Sequence, residues 1–179
     1  MTKILIPYGT TEGQTAKIAA HIADIGRQAG HAVDIAHAPD LADDVPLDGF
    51  GAVLVGASVH EGRYQRSVAK FVERHRGWLS EHRSGFFSVS LGAASKHPEE
   101  AAEVRHIMER FCAEHGWKPQ ASESFAGALK YTQYNWLKRM LMKQISKKEG
   151  GSTDTTRDHE YTDWSQVDAF ARAFFAALP

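Results

Sequence analysis

The feature that most constrains this chain is its alternation of short apolar runs with amphipathic stretches. Lys3–Pro7, His31–Ala36, Gly51–Ala57, Gly85–Leu91 and Ser124–Leu129 read as strands. Gly13–Gln28, Gln65–Leu79, His97 to about His115, and Ser165–Leu178 read as helices, with Ile18, Ile22 and Ile25, or Val68, Phe71, Val72 and Leu79, at helical spacing. Gly30 and Gly116 stand where helix C-caps are expected. Gly51–Ala57 is apolar throughout, as a strand covered on both faces must be. Helical connections make successive strands parallel, and right-handed crossovers leave few topologies. The expectation is an α/β three-layer sandwich around a five-stranded parallel sheet in the order 2-1-3-4-5, with residues 1–179 forming one domain. In such sheets a ligand sits at the carboxyl ends of the strands, where the strand order reverses.

Three loops are expected there. The first is Tyr8-Gly9-Thr10-Thr11-Glu12-Gly13-Gln14-Thr15, a strand-to-helix turn rich in hydroxyls and glycine. A helix N-terminus adds unpaired N–H groups and a positive dipole end, so the stretch suits a phosphate. A nucleoside-triphosphate loop needs a Lys, and none lies between Tyr8 and Thr15; the dinucleotide fingerprint needs a third glycine and a different spacing. An ordinary strand–helix turn with a Thr cap is the plain alternative. The pattern of hydroxyls and amides without a cation resembles the flavodoxin loop that binds the phosphate of FMN. On that resemblance Gly9, Thr10, Thr11, Glu12, Gly13, Gln14 and Thr15 are candidate cofactor-binding residues, and the fold expected is flavodoxin-like.

In flavodoxins two further loops flank the isoalloxazine, which implies Ser58, Val59, His60, Gly62 and Tyr64 on one side and Ser90, Leu91, Gly92 and Ala93 on the other. Gly62 permits unusual backbone angles against a ring, Tyr64 is placed to stack, and His60 or Arg63 to stand at the flavin edge. The second loop, Ser90–Ser95, lacks the aromatic and acidic residues usual in small electron carriers. That absence implies a ring face open to a substrate.

Composition narrows the classes. At 42% hydrophobic, 24% charged and net charge −1, nothing global points to nucleic acid. The single Cys112 excludes an internal disulfide and fits a reducing, cytoplasmic setting. Met1-Thr2-Lys3 runs directly into a strand, so no leader is expected, and no apolar run has the length of a membrane span. His60-Glu61 begins like a zinc-protease motif, but Tyr64 stands where the second His belongs, so no metal is expected.

The segment from Lys130 to Lys148 has the most distinctive composition. Lys130, Lys138, Arg139, Lys143, Lys147 and Lys148 occur without any acid, interleaved with Tyr131, Tyr134, Trp136, Leu137, Met140, Leu141, Met142 and Ile145. On a helix the apolar residues share one broad face, the pattern of an interfacial membrane element. Packing of that face on the chain's own domain is the alternative, and nucleic-acid binding a third.

Three stretches are similar to one subfamily, the flavodoxin-like, quinone-dependent protoporphyrinogen IX dehydrogenases. They are Glu12-Gly13-Gln14-Thr15, Ala126–Tyr131, and Gly150–Thr155 followed by Tyr161-Thr162-Asp163-Trp164. The basic insertion, about 130–164, lies where that family has its distinguishing segment. The family is more basic or aromatic at two places where this chain has His60-Glu61 and Gly92-Ala93-Ala94-Ser95. The resemblance implies FMN as cofactor, protoporphyrinogen IX as substrate, a membrane quinone as acceptor, and peripheral attachment to the inner face of the cell membrane through about Lys130–Lys148. No catalytic acid or base is implied. An electron-carrier flavodoxin, a related FMN-dependent quinone reductase and a non-catalytic binding module are the rival readings.

Overall fold

The computed structural model describes residues 1–41, 45–95, 97–130, 154 and 156–179. Five strands, β1 (Lys3–Gly9), β2 (Ala32–His37), β3 (Ala52–Ser58), β4 (Arg83–Ser90) and β5 (Ala121–Ala126), form one sheet. Its order is β2-β1-β3-β4-β5, and every pairing in it is parallel. Among the described residues four helices cover it: α1 (Gln14–Gln28), α2 (Arg66–Glu81), α3 (Pro98–Glu114) and α4 (Trp164–Ala176).

The period of two along each strand divides the core into two layers. Ile4 and Ile6 of β1, Ala52 and Leu54 of β3, and Phe87 and Val89 of β4 pack with Ile18, Ile22, Val167 and Phe174 of α1 and α4. Leu5, Val53, Val55 and Phe86 point the other way, onto Val68, Phe71, Val72 and Phe111 of α2 and α3. Burial of each large side chain of this kind contributes about 1.5–3 kcal/mol. Ile18 and Ile22 have no exposed surface, so Ile22→Ala would cost about 2–5 kcal/mol and loosen α1 from the sheet. Helix α1 stops where expected: Gly30 takes φ 86° and donates its N–H to Arg27.

One sequence expectation changes. Ser124–Leu129 is not one strand. At Gly127 the chain leaves the sheet, its N–H bonding to the Ser90 carbonyl. The next residues form β6 (Ala128–Leu129), which pairs antiparallel with β7 (His159–Glu160). An apolar run looks the same whether its backbone bonds go to one neighbour or two. The connection from β2 to β3 carries a single 3-10 turn, Ala38–Asp40, as its regular element among the described residues. The ladder of β6 and β7 closes the base of the long insertion, and Lys130 meets Asp158 there at 3.5 Å. The amphipathic pattern assigned to Lys130–Lys148 lies outside the described residues apart from Lys130. No helix among the described residues is long and apolar enough to cross a membrane.

Candidate functional site

The carboxyl ends of β1, β3 and β4 open into a cleft of about 110 Å³. Thr10, Thr11, Glu12, Gln14 and Thr15 form one wall, Ser58, Val59 and His60 a second, and Ser90 and Leu91 a third. Among the described lining residues there is no Lys or Arg; His60 is the one imidazole and Glu12 the one carboxylate.

The first wall is built by the turn into α1. β1 runs to Gly9, two residues beyond the expected strand end. The Thr10 hydroxyl accepts the Gly13 N–H at 2.9 Å, which curls the loop. Gly13 is the helix N-cap at φ 86°, in the left-handed region where glycine is unstrained. With no side chain at the cap, nothing there satisfies the first N–H groups of α1. The first intrahelical bond is Lys17 N–H to Gly13 carbonyl, leaving the N–H groups of Gln14, Thr15 and Ala16 ahead of it. Gln14 and Thr15 are 4% and 0% exposed, and Gln14 Oε1 and Thr15 Oγ1 are buried without a protein partner. A buried orphan hydroxyl and carbonyl are costly unless a ligand meets them. An uncapped helix start beside such groups fits a ligand carrying a phosphate and hydroxyls.

The second wall follows β3. Val59 donates its N–H to the Val89 carbonyl, extending the sheet pairing to the cleft floor. His60 and Arg63 then exchange backbone bonds at 2.9 and 3.1 Å around a tight turn. Glu61 at φ 51° and Gly62 at φ 72° give that turn two left-handed residues, the type I′ arrangement. His60 lines the cleft, whereas Gly62 is the turn's tip and its carbonyl accepts from Arg110 of α3. Gly62 therefore serves the turn and is not among the lining residues.

Tyr64 is also redirected. Its ring meets Phe86 and Phe111 edge-on, with centroids 5.2 and 4.9 Å away, and its hydroxyl donates to Ser88 Oγ at 2.9 Å. Burial, partly offset by the bond to Ser88, pushes the phenol up to about 12. The ring expected to stack on a ligand bridges α3 and β4 instead. An aromatic half-buried against two other rings outweighs one left in a loop.

The third wall is Ser90 and Leu91. The Ser90 hydroxyl accepts the Ala93 N–H and starts the 3-10 turn Gly92–Ala94, which carries Gly92 and Ala93 away from the lining. Gly9 likewise supports the cleft from behind.

Five residues of the site were not anticipated. Val89, Gly127 and Ala128 complete the lining, and the rule that ligands meet strand carboxyl ends pointed toward them. Gln65, at the α2 N-cap, donates Nε2 to Ser58 Oγ at 2.6 Å and to Thr11 Oγ1 at 3.1 Å, bridging two walls. Thr162 accepts from Gln14 Nε2 at 2.9 Å. Neither contact has a signal in a one-dimensional pattern.

A larger groove, about 480 Å³, lies between the Ala38–Asp40 turn and the flank of α2. Arg66, Lys70 and Arg74 line it beside Glu73, an ordinary solvated helix face lying outside the three loops.

A parallel sheet of order 2-1-3-4-5 with a hydroxyl-and-amide cleft at its reversal point defines a flavodoxin-type protein. Residues 5–156 match the family model described as Flavodoxin domain. Protoporphyrinogen IX dehydrogenase [quinone] of Escherichia coli (strain K12) is 34% identical over 170 residues, covering 95% of this chain and 93% of that one. The protein of that name from Leishmania major is 37% identical over 181 aligned residues, covering 99% of this chain and 76% of that one. Oxidised flavodoxin 1 from Bacillus cereus superposes with a TM-score of 0.59 at 14% identity, covering 99% of this chain and 100% of that one, a likeness of fold. The chain belongs to the flavodoxin-like protoporphyrinogen IX dehydrogenase family.

Proposed function

We propose that this chain binds FMN in the cleft and oxidises protoporphyrinogen IX to protoporphyrin IX, passing the electrons to a membrane quinone. The observation that carries the reading is the buried, unpartnered Thr15 hydroxyl at an uncapped helix start, in a chain whose relatives bear that activity in their names.

When bound, FMN supplies two-electron oxidation chemistry, used three times to conjugate the porphyrinogen and regenerated each time by quinone reduction. The protein binds and orients. Thr15 Oγ1 and the N–H groups of Gln14, Thr15 and Ala16 would hold the phosphate. Thr10 and Thr11 line the same wall. Gln14 Oε1 would accept from a ribityl hydroxyl. Ser58, Val59 and His60 on one side, and Ser90 and Leu91 on the other, would flank the ring. Gly9, Gly13, Gly62, Tyr64, Gly92 and Ala93 support these walls without lining the cleft. No side chain is assigned as acid or base.

Lys130–Lys148 serves, on this reading, as a peripheral attachment to an anionic membrane face, where quinone and porphyrin partition. Lys138→Glu, Arg139→Glu and Lys143→Glu together should release the protein from anionic liposomes with FMN retained. Unchanged liposome binding would refute the attachment.

The central test is an absorbance spectrum of the purified protein, followed by anaerobic protoporphyrinogen with and without menaquinone. A yellow protein bleached by the porphyrinogen and recoloured by menaquinone is expected. A colourless protein overturns the reading. A yellow one that the porphyrinogen fails to bleach favours an electron carrier.

A further inference from the structure

The Tyr-Thr-Asp-Trp stretch is absorbed by neither the cleft lining nor the membrane segment, yet it touches the cleft wall. α1 presents Gln14, Lys17 and His21 on one stripe, and the chain from Glu160 onward is laced along it. Gln14 Nε2 donates to Thr162 Oγ1 at 2.9 Å. Lys17 Nζ lies 3.0 Å from Glu160 Oε2, and Trp164 Nε1 donates to Glu160 Oε1 at 2.8 Å. His21 packs on the Trp164 ring and meets Asp168 at 2.6 Å.

Thr162 is the pivot of this lacing. Its hydroxyl accepts from Gln14 and donates to the Ala126 carbonyl at 2.7 Å. One residue earlier, Tyr161 N–H donates to the Gly127 carbonyl at 3.0 Å, directly below the ladder of β6 and β7. Gly127 and Ala128 line the cleft, and the insertion leaves and returns through that ladder. A single hydroxyl thus joins three things: the helix start that faces the cleft, the end of β5, and the root of the insertion.

We propose that Thr162 is a positioning residue that couples occupancy of the phosphate wall to the root of the insertion. This rests on the reading of the cleft as an FMN site. The bond from Thr162 fixes the Gln14 amide and with it the first turn of α1, where Thr15 Oγ1 waits buried and unpartnered. Coupling of this kind is reciprocal: what stabilises the turn stabilises the ladder, and the reverse.

The test measures FMN and riboflavin affinity, by quenching of flavin fluorescence, for the full-length wild type, Thr162→Val and Thr162→Ser. Valine keeps the volume and loses both hydrogen bonds; serine keeps them. FMN binding to Thr162→Val should weaken about fivefold to tenfold, as expected for one hydrogen bond at a partly buried site. Riboflavin, which lacks the phosphate and keeps only the ribityl contact to Gln14 Oε1, should weaken less than FMN, by about twofold, if most of the effect runs through the phosphate wall. Thr162→Ser should restore FMN binding. In the wild type, FMN should also slow hydrogen exchange of the Tyr161 amide, a measurement that needs no variant. Equal losses for FMN and riboflavin, no rescue by serine, or an indifferent Tyr161 amide would overturn the coupling. A wild type that binds neither flavin would sink the FMN reading itself, and the coupling with it.

Discussion

Gly9→Ala isolates how tightly the wall behind the cleft is packed. Gly9 is not among the residues at positive φ, so its backbone suits alanine and the cost is one of contact. A Cβ there would lie 2.7 Å from Gln65 Oε1, 2.7 Å from Val68 Cγ2 and 3.1 Å from Gln65 Cβ. Ordinary carbon contacts are about 3.5–4.0 Å, so neighbours must move by about 1 Å. Gln65 can swing away, but only by giving up its bonds to Ser58 and Thr11. Val68 is 1% exposed in the first turn of α2 and has little room to move. Overpacking of this kind costs about 1–3 kcal/mol. For a chain of this size that lowers Tm by about 2–12 °C. FMN affinity should fall as well, about threefold to tenfold, because the bridge between two walls is lost. Thermal unfolding and a flavin fluorescence titration read the two effects. Val68→Ala opens space beside residue 9, so in that background the added cost of Gly9→Ala should shrink, by a coupling of about 0.5–3 kcal/mol. Strict additivity of the two substitutions, or an unchanged Tm and FMN affinity in Gly9→Ala alone, would refute the packing argument.

Tyr64→Phe should leave the flavin absorbance bands unchanged, since the ring faces Phe86 and Phe111, while destabilising the fold by about 1–3 kcal/mol in urea unfolding. The cost comes from Ser88, which has no exposed surface and loses its donor; a shifted flavin band would show that the ring reaches the cofactor after all. Acid sensitivity should trace in part to Glu160. Burial raises its pKa, but hydrogen bonds from Lys17, Trp164 and Gln14 and the charge of Lys17 outweigh that and hold the carboxyl below its usual 4.5. Its contribution is therefore complete above that value and is lost as pH falls through the lower folded-state value. Urea midpoints of the wild type and Glu160→Gln should differ at neutral pH and converge in the acid range, and parallel curves down to about pH 3 would exclude the carboxylate as the cause.

The layer architecture was legible because burial on both faces of a strand forces continuous apolar runs, and helices between them force parallel pairing. Leu5 and Ile6 point to opposite layers by the period of two alone. The uncapped, hydroxyl-rich helix start was legible for a related reason: Gly13 and Thr15 are local in sequence, and helix starts follow local rules. Tyr64 misled because an aromatic beside a candidate site reads the same whether it faces ligand or core. Its destination depended on Phe86, Phe111 and Ser88, which lie 22, 47 and 24 positions further along the chain.

By itself the sequence determined the strand order, the point where that order reverses, the hydroxyl-rich helix start and the family. Only the tertiary structure decided which loop residues line the cleft, that Gln65 braces two of its walls, and that Thr162 reaches Gln14 across 148 positions. Periodicity and capping are written by neighbours in the chain. A hydrogen bond between distant segments is set by how two layers of helices settle on one sheet, and no local pattern records it.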